Sequence, residues 1–169
     1  MMKAPPLLPE EVLARVLRLA RFDGLSVVVV AGSLAVVAAI AGDRVGAVVG
    51  LLVAGAGAIE LHGASLLSHG HKRGIDWLVR SQLVLLTAIL GYCALRLTHP
   101  DLTPLRQAVT DDMKEQLDMI GWSVDQFLQL VYRLTYLCVA FVTAIYQGGM
   151  AIYYWRQRRA VHEALDNET

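Results

Sequence analysis

One side chain in this 169-residue sequence stands where chemistry would be costly and therefore informative. Glu60 is the only Asp, Glu, Lys or Arg between residues 45 and 71, a run otherwise made of Val, Leu, Ala, Gly and a few small polar residues. An ionisable group inside so apolar a run binds or relays an ion, or is neutralised by a partner. Arg80 is the expected partner: it lies near the start of the next apolar run, at a similar depth, with Ser81 and Gln82 beside it as hydrogen-bonding groups. Removing one member of such a buried pair would cost about 3–5 kcal/mol. Three readings follow: a structural ion pair pinning neighbouring helices, an ion or proton site built on Glu60, Arg80 and Gln82, or a snorkelling acid with no special role.

A second group of polar side chains repeats at helical spacing near the C-terminus. Tyr132, Tyr136, Thr143, Gln147 and Tyr154 share one helix face, interleaved with Ala140 and Ala151. Hydroxyls and amides facing lipid are unfavourable, so this stripe should face protein or water. It would serve interhelical hydrogen bonds, worth about 0.6 kcal/mol each, or line a water-filled pathway, including one between copies of this helix. Gly148–Gly149 beneath Gln147 would permit bending.

The remaining candidates are weaker. His69 and His71 flank Gly70 in a loop, while His62 and His99 belong near opposite membrane faces, so no haem or metal site is expected. Cys93 and Cys138 lie at different depths and form no redox motif or disulfide. Phosphate loops, nucleophile elbows and HExxH are absent from the sequence. The expectation is a protein that is not an enzyme and takes no cofactor.

Small residues recur every four positions at Gly42, Gly46, Gly50, Ala54 and Ala58, and again at Ala31, Ala35 and Ala39. Such stripes let helix backbones approach closely where no hydrophobic effect drives association. With only Gly42, Asp43 and Arg44 between them, the two segments should form an antiparallel hairpin, or the glycine face should meet another subunit.

The elements that must carry these groups follow from composition. Hydrophobic residues make up 56% of the chain, charged residues only 18%, mean hydropathy is +0.49, and fifteen bases balance fifteen acids. Soluble domains carry about 25% charged residues, and zero net charge gives no basic surface for nucleic acid. Residues 24–42 are free of charge, as are 81–95 and 134–155, and 45–71 contains only Glu60. A hydrocarbon core needs roughly 20 helical residues. Three runs qualify directly, and the run at 77–97 qualifies if Arg80 and Arg96 extend towards the headgroups. The continuous Val, Leu and Ala runs lack the alternation of barrel strands, so the spans are helices. Ala39–Ile40–Ala41 resembles a signal cleavage site, but the segment before it is long and carries Glu10, Glu11 and Asp23.

Basic residues set the expected orientation. Lys3, Arg15, Arg18, Arg21, Lys72, Arg73, Arg80, Arg156, Arg158 and Arg159 fall on one side; Arg44, Arg96, Arg106, Lys114 and Arg133 fall on the other among seven acids. Both termini are therefore expected to be cytoplasmic, in a plasma membrane of bacterial type. Residues 9–22 read as an amphipathic interfacial helix, with Val12, Val16 and Leu19 on one face and Arg15, Arg18 and Arg21 suited to anionic lipid. Residues 103–120 read as one extracytoplasmic helix, capped by Thr103, with Leu105, Val109, Met113, Leu117 and Ile120 in a stripe and Gly121 as its stop. Ser123 and Gln126 form a capping-box pattern for the last helix.

The expected fold is all-α: a single membrane domain with an interfacial helix (9–22), four spans (24–42, 45–67, 77–97 and 124–157), an outer helix (103–120) and a polar, frayed tail (158–169). The expected function is an ion or small-solute conduit using the polar stripe and Glu60, formed by self-association because four helices alone leave little room for a pore. The alternative is a non-conducting scaffold or regulatory subunit that binds a membrane partner through the outer helix or the small-residue faces.

Overall fold

The computed structural model describes residues 8–167, so Lys3 and positions 168–169 lie outside the described residues. Six helices follow one another: α1 (Pro9–Ile40), α2 (Arg44–Ser68), α3 (Gly74–Thr98), α4 (Thr103–Gln107), α5 (Asp111–Met119) and α6 (Val124–Asn167). Four of them, α1, α2, α3 and α6, are long and apolar enough to cross a membrane. They form an antiparallel ring in which α1 lies against α2, α2 against α3, α3 against α6, and α6 returns to α1 over a smaller contact. Leu34, Val37, Leu51, Leu52, Phe141, Val142 and Ile145 are exposed around the outside, an apolar belt suited to lipid.

The turns form where the sequence places them. Gly42 takes φ 77°, a left-handed conformation open to glycine, and the Gly46 amide donates to Asp43 Oδ1 at 3.0 Å to cap α2. At the start of α6 the Gln126 amide donates to Ser123 Oγ while the Ser123 amide donates to Gln126 Oε1, both at 3.3 Å. Gly121, at φ 73°, stops α5.

Three expectations about the flanking pieces change. Residues 9–22 are not a separate helix lying along the interface: they are the first turns of α1, continuous with its apolar half. Val12, Leu13, Val16 and Ala20 are buried in the same cluster as Val161, Ala164 and Leu165 of α6. The tail is likewise not frayed, because α6 runs on to Asn167 and supplies the cover that the amphipathic face of α1 needs. At 1.5 Å per residue its 44 residues reach about 66 Å. Lys72 pairs with Asp166, and Arg158 with Asp76 at 3.3 Å, tying this end together.

The segment joining α3 to α6 is two short helices rather than one. Asp101 Oδ1, not Thr103, caps α4 by accepting from the Thr103 amide at 3.0 Å, and that bond holds the Asp101 carboxyl below its ordinary range. The chain then breaks at residues 108–110, where Thr110 Oγ1 accepts from the Met113 amide and starts α5. A threonine side chain that bonds the backbone locally competes with continued helix. Leu117 of the expected stripe is buried, whereas Met113 and Ile120 are exposed.

The small-residue stripes pack within the chain. A Cβ on Gly50 would lie 2.8 Å from Ala35 Cβ and 3.1 Å from the Ala31 carbonyl oxygen, and one on Gly46 would lie 3.3 Å from Ala38 Cβ. Further along, the contact passes to Gly57, whose added Cβ would come within 2.9 Å of the Gly24 carbonyl oxygen. Ala54 is half-buried, and Ala58 and Ala39 are exposed. A step of four overshoots the 3.6-residue turn by about 40°, so a strict four-residue stripe winds off the contact line.

Candidate functional site

The polar groups of four helices meet towards the end of the bundle that carries the termini. Glu60 of α2, Gln82 and Ser81 of α3 are fully buried, Asp23 of α1 is 5% exposed and Tyr154 of α6 is fully buried. Tyr154 donates its hydroxyl to Glu60 Oε1 at 2.8 Å. Asp23 accepts twice: from Tyr146 at 2.9 Å on Oδ1 and from Gln82 Nε2 at 3.2 Å on Oδ2. Glu60 also interacts directly with Gln82 and with Asp23. Two carboxyl groups therefore share one buried pocket of polar side chains.

Arg80 does not pair with Glu60. It is exposed, with its guanidinium 5.8 Å from the centre of the Trp77 ring. The reason is helical phase: Leu78, Ser81, Gln82 and Leu85 of α3 are buried, and a residue two positions from Gln82 points about 200° away. Among the described residues no lysine, arginine or histidine forms a salt bridge with Glu60 or Asp23. Three buried acceptors, Glu60 Oε2, Gln82 Oε1 and Gln147 Oε1, have no hydrogen-bond partner among the described residues. The site is rich in oxygen and lacks a positive group.

The polar stripe of α6 faces inwards. Tyr132, Gln147 and Tyr154 are buried and Tyr136 and Thr143 half-buried. Its two ends serve different neighbours: Tyr154 reaches Glu60, while Tyr132 donates to the Arg96 carbonyl oxygen at 3.2 Å. Helix α6 passes through Gly148 and Gly149 without interruption. Asp23 and Tyr146 are the members that the sequence did not single out. Asp23 borders the charge-free run that begins at Gly24. Its place three residues after Ala20, on the buried line Val12–Val16–Ala20, was the available signal. Tyr146 sits beside the stripe and reaches Asp23 only through the length of its side chain.

A second polar cluster occupies the opposite end. The Arg96 guanidinium pairs with Asp43 of the α1–α2 turn at 2.7 Å, and its Nε donates to the Tyr92 hydroxyl at 3.0 Å. Tyr92 also stacks edge-on with Tyr136, whose ring is 4.7 Å from that of Tyr132. A cavity of about 740 Å³ opens here between the α1–α2 turn, α3, α4 and α6. The other candidates stay apart: His69 bonds the Ser65 carbonyl oxygen at 2.7 Å, His62 packs edge-on against Trp77, and Cys93 and Cys138 are free thiols.

Chemically, the inner cluster can hold a cation. Two carboxylates in a dry pocket cannot both ionise without compensation, and carboxylate, amide and hydroxyl oxygens are the ligands preferred by hard cations. The chain matches no family model, no curated protein sequence and no solved structure.

Proposed function

We propose that this chain is a small membrane transport protein that carries a cation across the bilayer by way of the buried site formed by Glu60, Asp23 and Gln82, with the inward stripe of α6 lining the approach. The observation that carries this reading is the pair of buried carboxyl groups with no basic partner, inside a bundle whose exterior is apolar. A purely structural polar contact would be expected to satisfy its acceptors, since orphaned buried groups are costly. The expected direction of the bundle, with the basic collar and both termini in the cytoplasm of a plasma membrane, would place the acidic site in the inner third of the bilayer.

Self-association is part of the reading but not the source of the path. The stripe is buried within one chain, which favours a route through the single bundle over one between copies. The scaffold alternative is weakened by the same packing, because the faces of Gly46, Gly50, Ala31 and Ala35 are used between α1 and α2.

Flux in proteoliposomes tests the proposal. Purified protein should dissipate an imposed proton or sodium gradient faster than protein-free vesicles, and Glu60→Gln should remove most of that rate. Wild-type flux equal to empty vesicles across pH and voltage would overturn it.

A further inference from the structure

The hydrogen bonds of the inner site distinguish its two carboxyl groups. Asp23 accepts from two donors, one on each oxygen. Glu60 accepts from one, the Tyr154 hydroxyl on Oε1, and its Oε2 has none. Gln82 spends its amide nitrogen on Asp23, and its carbonyl Oε1 has no partner among the described residues. Glu60 Oε2 is a buried acceptor that meets no donor, and one added hydrogen resolves it, because a protonated carboxyl is itself a donor. A proton on Glu60 Oε2 turns that orphaned acceptor into a donor, whereas both oxygens of Asp23 already accept from donors.

From this we infer that the Asp23–Glu60 site holds one proton, on Glu60, and exchanges it for one monovalent cation of alkali type. This rests on the transport reading above. The groups bonded to the pair are Gln82 on α3 and Tyr146 and Tyr154 on α6, while Ser81 donates to the Leu78 carbonyl oxygen of its own helix; no basic side chain among the described residues is bonded to it. When the proton leaves Glu60 Oε2, the site becomes a dianion that the dry interior disfavours. A cation taking the proton's place restores the same net charge of −1. Glu60, Asp23 and the unpaired Gln82 carbonyl then supply its oxygen ligands. The balance is one cation bound and one proton released, with no electron transferred. Because the charge of the site is the same in both states, the exchange is electroneutral.

Proton release measures this directly. The full chain in detergent, weakly buffered with a pH-sensitive dye, is titrated with sodium chloride or potassium chloride and, at equal ionic strength, with choline chloride. The expected result is saturable release of about one proton per chain with an alkali cation and none with choline, since two adjacent buried carboxyl groups share one charge. Glu60→Gln should abolish release while keeping the helix content and elution volume of the wild type. Wild-type release that is absent, matches choline, or reaches two protons per chain overturns the exchange, and needs no variant to be decisive. Gradient-driven flux in vesicles without proton release would sink the exchange and spare the transport reading, whereas release without flux would sink the transport reading.

Discussion

Replacing Gly50 by alanine tests the packing that holds the first hairpin together. The added methyl would sit 2.8 Å from Ala35 Cβ, 3.0 Å from Ala35 Cα and 3.1 Å from the Ala31 carbonyl oxygen. Carbon atoms rest at about 3.5–4.0 Å, so α1 and α2 must separate locally by about 1 Å, and two of the three obstructing atoms belong to the backbone and cannot rotate away. Overpacking of this kind costs about 1–3 kcal/mol. Gly55 lies on the same helix, and a Cβ there meets nothing within 4 Å, so Gly55→Ala should change stability by less than about 0.5 kcal/mol. Both variants can be unfolded with SDS in mixed micelles and followed by circular dichroism. Equal midpoints for Gly50→Ala and Gly55→Ala would refute the close approach and with it the intrachain role of the small-residue stripe.

Two further outcomes follow from the inner site. Arg80→Gln should alter stability by less than about 0.5 kcal/mol, the usual range for exposed positions, whereas a loss of about 3–5 kcal/mol would restore the ion pair with Glu60 that the helix phase denies. Tyr154→Phe removes the donor to Glu60 Oε1 and should cost about 1–3 kcal/mol in the same SDS unfolding, the penalty for a buried acceptor left without a partner; an unchanged midpoint would show that the bond contributes little.

Much of the architecture was legible because the physics that produces it is local or one-dimensional. Span length, the Ser123–Gln126 capping box, the turn at Gly42 and the stop at Gly121 each depend on a few consecutive residues. The inward face of α6 followed from hydroxyl and amide spacing alone. The site was harder to read because its members come from four helices. The partner of Glu60 depended on the rotation of α3 about its axis, which the buried line Leu78–Gln82–Leu85 fixes and residue depth does not. Asp23 was not singled out because it lies between the expected helix 9–22 and the charge-free run that begins at Gly24, whereas α1 runs unbroken through both. The fate of residues 9–22 turned on distant elements, since Val12, Val16 and Ala20 are covered by Ala64 and Leu67 of α2, Ile75 and Leu78 of α3 and the extension of α6 through Val161, Ala164 and Leu165.

The central claim is that the two buried carboxyl groups hold one proton, on Glu60, with no basic partner among the described residues. Infrared spectroscopy of the carboxyl C=O stretch reads that state without reference to transport. The account expects a protonated-carboxyl band at neutral pH that shifts on deuterium exchange, disappears in Glu60→Gln and persists in Asp23→Asn. A wild-type spectrum with no such band, or a band removed by Asp23→Asn and untouched by Glu60→Gln, would contradict it.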